Sequence, residues 1–504
     1  MRLFNRIYII PILVMLISGG GCKKFLAEQS QNLAYANTAE RLEETIEGDG
    51  YMPHFITAPY TTYMEQPKAM YFPWLNSMDD DFSEFVKSPY LDNRSSIFGF
   101  YTWQSNPFVS STYVATSDDT WAKTYVNINA ASIIAAQALT LTDNPGELKR
   151  IRGEALFLRA FYYFYLVNVY APAYNKASAA TDPGVPLKTT EFVQDNFFTR
   201  STVDSVYHQI IADLSVAETC LDTVTHISLY HADISAVNLL QSRVYLYMQD
   251  WQDAATAAGK VISRKPQLYD LNGYQPHNSF FSSGSPEAIF TQGGNAMIYL
   301  TTENYAIAFQ ASPDLMNLYQ PADLRRTAFF ETDQLGKIRY TKMYQSSTYN
   351  VLPTEIFSDN YFLRCAEAYL NKAEASAMLG NTADANDAIN TLTKARFRPA
   401  DYAPIHLNGD TLVNFIRDER RRELCFEGHR WFDLKRYAVN TQYPFTKTIV
   451  HTWSQAPYGG TPYVQATLTL QPGDPDYLIP IPLEAITFNQ GVLVQNPARQ
   501  DRTF

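Results

Sequence analysis

IRDERRRELCFEGHRWFDLKRY, residues Ile416–Tyr437, is the most informative stretch of this sequence. It contains no proline and a single glycine, and it is dense in charged residues, so it predicts one amphipathic helix. At about 100° per residue, six side chains share one broad face: Ile416, Glu419, Glu423, Phe426, Arg430 and Asp433. Arginines lie within one turn of each carboxylate, which favours an ion-paired, packed helix over a catalytic acid and base.

The order of residues in this helix resembles the C-terminal motif of the SusD/RagB family, which reads ER-x-x-EL-x-FEG-x-R-x-x-DL-x-R. The match begins at Glu419-Arg420 and ends at Arg436. The C-terminal run YLIPIPLEAITFNQGVLVQNPARQ resembles a second motif of the family, IP-x-x-E…N-x-x-L-x-QNP. Two long motifs in the family's order imply an outer-membrane lipoprotein that captures glycans for a SusC-like TonB-dependent transporter.

The N-terminus has the pattern of a lipoprotein signal. A basic start precedes the apolar run Ile7–Ile17, which is too short to cross a bilayer as a helix. Small residues then lead to Cys22, so residues 1–21 are predicted to be a signal peptide and Cys22 the lipidated residue. The alternative is an ordinary secretory signal with an incidental cysteine, and Gly19 departs from the usual lipobox. The family resemblance implies a lipid-anchored protein that faces the cell exterior.

The composition argues against several classes of function. The chain has 504 residues and a net charge of −11, which argues against a nucleic-acid partner. No later run of about 18 apolar residues occurs, so no further segment is expected to span a membrane. Cys220, Cys365 and Cys425 are widely spaced and form neither a CxxC nor a cluster with histidine. We therefore predict buried thiols, with no disulfide framework, metal site or cofactor.

Internal repeats predict the scaffold. Residues 238–266 resemble a tetratricopeptide unit, with two antiparallel helices around a turn at Gln249 and small residues where the helices meet. A second copy lies at residues 369–396, with its turn at Gly380. Both copies therefore predict helical hairpins.

Two further helical pairs are plausible. A helix over residues 121–141 is followed by one over 147–170, and the helix Leu412–Tyr437 closes the set. We expect an all-α scaffold of about four tetratricopeptide-like pairs with large, irregular, loop-rich insertions that form the ligand-binding part. The family resemblance divides the mature chain into an N-terminal region, 22–230, and a C-terminal region, 231–504.

The insertions are where binding groups are expected, because loops on a rigid scaffold carry function. Residues 49–120 and 266–360 are long, irregular segments of this kind, and the chain holds 35 tyrosines. Aromatic faces with a polar tip suit sugar surfaces as well as ordinary cores. No phosphate-binding glycine loop, GxSxG or HExxH motif occurs, and no nucleophile with its base can be identified.

Trp103 and Asn106 are the best candidates for a sugar site. An indole face can stack on a pyranose ring, and an amide can bridge two neighbouring hydroxyls. In the resembled family, a Trp followed three residues later by Asn contributes to the glycan site, with Arg and Asp from just upstream. The alternative is that Trp103 belongs to the core, as tryptophans usually do. The remaining candidates are Arg94, Asp80, Asp81, Tyr101, Trp74 and Tyr299.

Three functions from different classes follow. The two motifs favour a non-catalytic glycan-binding lipoprotein that passes oligosaccharide to a transporter. The second is a helical-toroid glycoside hydrolase in which the run Asp79–Asp81 supplies acid and base. The third is a peptide-binding repeat scaffold, which would use a concave repeat surface instead of an aromatic loop platform.

Overall fold

Antiparallel helices account for most of the regular structure. The computed structural model describes residues 36–53, 71–87, 95, 97–116, 118–192, 194–275, 278–294, 309–343, 357–455, 461 and 463–502. Its α-helices are α1 (Ala39–Thr45), α2 (Phe98–Tyr101), α3 (Thr120–Gln137), α4 (Pro145–Tyr170), α5 (Val203–Leu221), α6 (Ile234–Tyr247), α7 (Trp251–Arg264), α8 (Pro313–Met316), α9 (Arg325–Ala328), α10 (Cys365–Met378), α11 (Thr382–Lys394), α12 (Gly409–Leu424), α13 (Arg430–Ala438) and α14 (Leu483–Phe488).

Local sequence explains where several helices begin. The Asn144 side chain accepts a hydrogen bond from the Glu147 backbone N–H, and Pro145 occupies the first turn of α4. Asp233 accepts hydrogen bonds from two backbone N–H groups at the start of α6. Polar caps of this kind satisfy N–H groups that have no partner inside the helix.

Neighbouring antiparallel helices build the scaffold: α3 packs against α4, α4 against α5, α6 against α7 and α10 against α11. The predicted turns are present, because Gln249 and Gly380 have φ of 58° and 77° and reverse the chain between paired helices. Ala254 of α7 and Ala385 of α11 are fully buried where their helices meet. The predicted all-α scaffold of tetratricopeptide-like pairs is therefore confirmed.

Short strands within the insertions pair into two-stranded antiparallel ladders. The described strands are β1 (Phe82–Glu84), β2 (Ala288–Thr291), β3 (Phe309–Ala311), β4 (Phe330–Thr332), β5 (Ile338–Tyr340), β6 (Phe362–Arg364), β7 (Ile449–Gln455) and β8 (Tyr463–Leu470). β1 pairs with β3, β2 with β6, β4 with β5 and β7 with β8. In the first ladder Phe82 lies opposite Ala311, so this ladder joins an insertion of the N-terminal region to one of the C-terminal region.

The prediction of one helix over Ile416–Tyr437 is wrong, because the structure divides this stretch into α12 and α13. Phe426 and Gly428 lie in the left-handed region, with φ of 60° and 73°, and they interrupt the helical backbone. The break brings the Glu427 carboxylate to Lys342, whose Nζ donates a hydrogen bond of 2.6 Å. Side chains expected on one helical face therefore reach different parts of the protein.

Glu423 is the centre of a buried ionic network. Its Oε1 accepts hydrogen bonds from Arg364 at 2.6 Å and Arg396 at 2.7 Å, and its Oε2 accepts one from Arg325 at 3.0 Å. Burial alone would raise the pKa of Glu423, but Arg396 and Arg364 hold it well below its ordinary value. The predicted ion pairing is confirmed, although these partners come from β6, α9 and the segment after α11 instead of the same helix.

A hydrophobic core extends through the described chain from Ala36 to Leu493. Cys220, Cys365 and Cys425 are buried free thiols, as predicted. None of the described helices combines the length and the apolar character that crossing a bilayer requires. The predicted signal peptide, 1–21, lies outside the described residues.

Candidate functional site

Trp103 and Tyr101 enclose the imidazole of His451 instead of facing solvent. The Trp103 and Tyr101 rings lie nearly parallel to that imidazole, with centroid distances of 4.3 and 4.2 Å. The Trp103 residue is 0% exposed, and its Nε1 donates a hydrogen bond of 3.0 Å to the Met78 carbonyl. The expectation of an exposed Trp103 face is wrong, because the stacked imidazole and the guanidinium of Arg502 cover the indole.

His451 links β7 to the N-terminal insertion. Its Nδ1 lies 2.8 Å from the Tyr101 carbonyl oxygen, and its Nε2 lies 2.9 Å from the Asp79 carbonyl oxygen. Burial lowers the pKa of His451 to about 4, while the two carbonyl groups act in the opposite direction. The imidazole is therefore neutral near pH 7, and its role here is structural.

Asp80 and Asp81 are buried ion-pair partners. Asp80 Oδ1 lies 2.6 Å from Arg430 Nε, and Asp80 Oδ2 lies 2.6 Å from Lys447 Nζ. Asp81 Oδ1 lies 2.6 Å from Arg421 Nε. Burial alone would raise the pKa of Asp80, but Arg430 and Arg421 hold it well below its ordinary value. The prediction that these two carboxylates line an accessible ligand site does not fit this arrangement.

Asp79, the third acid of the run, is buried as well. Its Oδ1 accepts a hydrogen bond of 2.9 Å from the Asp81 backbone N–H. Burial raises the pKa of Asp79 well above its ordinary value, and the charges of Asp81 and Asp80 add to this effect. A hydrolytic acid and base must both reach one glycosidic bond. The burial and pairing of Asp79–Asp81 argue against the hydrolase interpretation.

The other predicted site residues fall into different environments. Trp74 is buried, with its ring stacked on Phe100 at 4.2 Å and its Nε1 donating a hydrogen bond of 2.6 Å to Asp118. Asn106 is exposed, and its Oδ1 accepts a hydrogen bond of 3.1 Å from the Phe108 backbone N–H. The structure therefore does not bring Trp74 and Asn106 together on one accessible surface.

Three predicted functional residues lie outside the described residues: Arg94, Tyr299 and Cys22.

An open groove lies between α3, the residues Pro186, Lys188 and Phe198, and α14. Its volume is about 710 Å³, within the range of roughly 300–1,000 Å³ that is typical of small-molecule sites. Four aromatic side chains contribute to its lining: Trp121, Tyr125, Phe198 and Phe488. An aromatic lining of this kind offers flat apolar faces to a ligand.

Hydrogen bonds hold the walls of the groove together. The Tyr125 hydroxyl donates to the Pro186 carbonyl at 2.9 Å, which connects α3 to the chain at Pro186. The Phe198 backbone N–H donates to Asn489 Oδ1 at 2.7 Å, which connects Phe198 to the residue after α14. These partners are 61 and 291 positions apart in the chain. Sequence analysis placed residues 121–141 in a scaffold helix and missed the groove, because the walls of the groove meet only in the folded chain.

Two sets of described side chains could offer three ligand atoms to a cation. One is the run Asp79–Asp81, and the other consists of Glu43, Glu47 and His231. In the second set, Arg150 Nη2 lies 2.6 Å from Glu43 Oε2. Arginine and lysine side chains of the protein thus already pair with both sets, and we assign neither as a metal site.

The fold and the groove together define a helical-repeat protein with large loop insertions and an aromatic-lined surface groove. Residues 303–498 match the model of the SusD family. Residues 69–246 match the model of a SusD-like family described as starch-binding and associating with the outer membrane. The chain belongs to the SusD family.

Relatives and solved structures agree with this assignment. SusD-like protein P2 of Formosa agariphila is 24% identical over 431 residues, which cover 75% of this chain and 79% of that protein. A SusD superfamily protein from Bacteroides thetaiotaomicron has a TM-score of 0.69 at 21% identity, covering 91% of this chain and all of that one. A SusD-like carbohydrate-binding protein from Bacteroides vulgatus has a TM-score of 0.66 at 23% identity, covering 90% of this chain and 97% of that one. At these identities the solved structures establish the fold.

Proposed function

We propose that this chain is a non-catalytic, cell-surface lipoprotein that binds oligosaccharides or polysaccharide and delivers them to a SusC-like TonB-dependent transporter. The observation that carries the proposal is the match to SusD-family models in both regions of the chain, at residues 69–246 and 303–498. A carbohydrate-binding neighbour shares the fold along 97% of its own length. Membership in the SusD family implies glycan binding as the central activity.

Binding in this proposal uses stacking and hydrogen bonds and no covalent step. The acids that sequence analysis offered for hydrolysis, Asp79–Asp81, are buried beside Arg421 and Arg430. Arg430 and Arg421 hold the pKa of Asp80 well below its ordinary value, whereas burial raises the pKa of Asp79 and of Asp81, and all three carboxyl groups are kept away from solvent. This arrangement supports capture of the glycan without cleavage.

The proposed location is the outer membrane. The family matched by residues 69–246 is described as associating with that membrane. A diacylated Cys22 supplies the anchor, because two acyl chains hold a protein stably at a bilayer where a single chain binds only marginally. The transporter partner and the outward orientation are further parts of the proposal, and the matches to SusD-family models support them.

The test combines binding, chemistry and assembly in the same preparation. Purified mature protein is titrated calorimetrically with a panel of neutral, uronate-containing and sulfated oligosaccharides, and the mixtures are assayed for new reducing ends. A SusC-like transporter from the same genome is then co-expressed with this chain and tested for co-purification. We expect saturable binding to at least one glycan, no new reducing ends and a stable complex. Release of reducing ends, or a folded protein that binds no glycan, would contradict the proposal.

A further inference from the structure

Large apolar side chains at the rim of the groove between α3 and α14 are exposed to solvent. Phe488, Leu483 and Val126 are 77%, 75% and 66% exposed, and two of them, Phe488 and Val126, line the groove. Each of these side chains leaves an apolar face in water. Grouped exposed apolar side chains around a concave surface indicate a binding site.

The lining of the groove includes an N–H donor that a ligand could reach. Trp121 lines the groove and is 7% exposed, with its ring packed edge-on against Tyr170 at a centroid distance of 4.8 Å. Its indole N–H has no hydrogen-bond acceptor among the residues that the structure describes. The N–H is not among the buried polar atoms that lack a partner, so it is open to solvent in the groove. A ligand oxygen in the groove would supply that acceptor.

The charges of the groove disfavour anions. The lining includes the carboxylates of Asp118, Asp119 and Glu484 and a single ammonium group, that of Lys188. The Lys188 ammonium donates hydrogen bonds to the backbone and side-chain oxygens of Thr190, and burial lowers its pKa. The lysine is therefore occupied by its own loop. Lys123 Nζ lies 2.7 Å from Asp119 Oδ1, and Asp118 Oδ2 accepts a hydrogen bond from Trp74, so Glu484 is the lining carboxylate that most directly opposes a ligand with carboxylate or sulfate groups.

From these observations we infer that the groove is a carbohydrate subsite for neutral, pyranose-containing chains. A pyranose has an apolar C–H face for Tyr125 and Phe488, hydroxyl oxygens that accept from Trp121, and hydroxyl protons for Asp119 and Glu484. The inference rests on the proposed function and adds to it a location and a ligand class. It places the subsite away from Trp103, which is enclosed in the core.

The experiment compares variants that leave the fold intact. Phe488→Ala removes an exposed aromatic wall, and Phe192→Ala is its matched control, because Phe192 is 53% exposed and is not part of the groove lining. Trp121→Phe keeps an aromatic ring and removes only the N–H donor. Each purified protein is titrated with the same neutral and anionic oligosaccharides, and circular dichroism melting checks its fold.

We expect the wild type to prefer neutral oligosaccharides. Phe488→Ala should weaken that binding about tenfold or more, as loss of an anchoring aromatic does in other interfaces, and Phe192→Ala should leave it unchanged. Trp121→Phe should weaken it severalfold. Glu484→Lys should increase binding of a uronate-containing oligosaccharide relative to the wild type.

Distinct outcomes would overturn this inference. Unchanged affinity in both Phe488→Ala and Trp121→Phe would place the glycan elsewhere and leave the proposed function standing. A wild-type preference for uronate or sulfated chains would refute the neutral ligand class. Loss of transporter co-purification in Phe488→Ala, with glycan affinity unchanged, would identify the groove as a protein interface. Absence of binding to every glycan by a folded wild type would overturn both this inference and the proposed function.

Discussion

The indole of Trp103 and the imidazole of His451 stack at a centroid distance of 4.3 Å, with an angle of 18° between the two ring planes. Trp103 follows α2 in the N-terminal insertion, and His451 lies in β7 near the C-terminus. The contact therefore connects two insertions that are far apart in sequence. It also explains why a tryptophan in a loop-rich segment, the usual setting of a ligand platform, is a core residue here.

Replacing Trp103 by alanine should destabilise the protein by about 3–5 kcal/mol, because a fully buried indole leaves a cavity. The hydrogen bond from its Nε1 to the Met78 carbonyl is lost as well. Urea unfolding followed by circular dichroism measures this change. Asn106→Ala is the control, since Asn106 is exposed, and it should change stability by about 0.5 kcal/mol or less. Full stability of the Trp103→Ala protein with loss of glycan binding would show that Trp103 belongs to the ligand site.

Replacing Glu423 by alanine should cost about 3–5 kcal/mol, because it leaves buried arginines without their shared carboxylate. Arg364 and Arg396 both donate to Glu423 Oε1, and their side chains are at most 1% exposed. Asp418→Ala is the matched control, because Asp418 lies on the same helix and is exposed. The measurement is the free energy of unfolding in urea for both variants. Equal stabilities for the two proteins would contradict a central role of Glu423 in the network.

Protonation of His451 should weaken the fold as the pH falls below about 6.5. Burial lowers the pKa of His451 from 6.5 in the unfolded reference to about 4, so the unfolded state binds more protons between these values. Stability due to this group is present above pH 6.5 and is lost as the pH falls toward 4, by roughly 3 kcal/mol at most.

The test compares the wild type with His451→Gln by urea unfolding at pH 7 and pH 5. The wild type should lose more free energy of unfolding than the variant between pH 7 and pH 5. Other titrating groups are present in both proteins, so the difference between the two reports on His451 alone. One such group is His231, whose pKa is raised, chiefly by its hydrogen bond to Glu154. An equal pH dependence of the two proteins would refute the assignment of a lowered pKa to His451.

Replacing Cys22 by alanine should abolish lipid attachment, because acylation requires the thiol of that residue. Metabolic labelling with palmitate, followed by membrane fractionation, measures the effect. Cys220→Ala is the control, since Cys220 is a buried thiol on α5 and should leave labelling unchanged. Palmitate incorporation into the Cys22→Ala protein at the wild-type level would rule out the lipoprotein assignment.

Local patterns predicted the helical pairs but not the break between α12 and α13. The turns at Gln249 and Gly380 are short-range features that can be identified from neighbouring residues. Phe426 adopts a left-handed conformation that its own side chain disfavours, and tertiary contacts stabilise it. One of these is the pairing of Glu427 with Lys342, a residue of a distant segment. Helix propensity therefore predicted a continuous helix where packing interrupts it.

In the candidate site, too, the residue types could be identified from the sequence, whereas their burial was decided by tertiary contacts. The chemistry of Trp103 and Asn106 suited a sugar site, yet burial of a side chain depends on what other segments cover it, and His451 is not identifiable as that cover from sequence. Sequence analysis missed the groove because it could not show which side chains stay exposed and lie close together after folding. Phe488 and Tyr125 belong to separate segments, and only folding places both in one lining. The family, in contrast, was identified from motifs whose residues are adjacent in the chain.

The sequence by itself determined the helical hairpins and the SusD-family membership, because both depend on residue order over a few turns of helix. Tertiary structure alone decided which aromatic residues are core and which are open to a ligand. It placed Trp103 against His451 and left Phe488 in solvent beside Trp121. The physical reason is that burial is a property of contacts between distant segments, whereas helix formation and turn geometry are properties of neighbours along the chain.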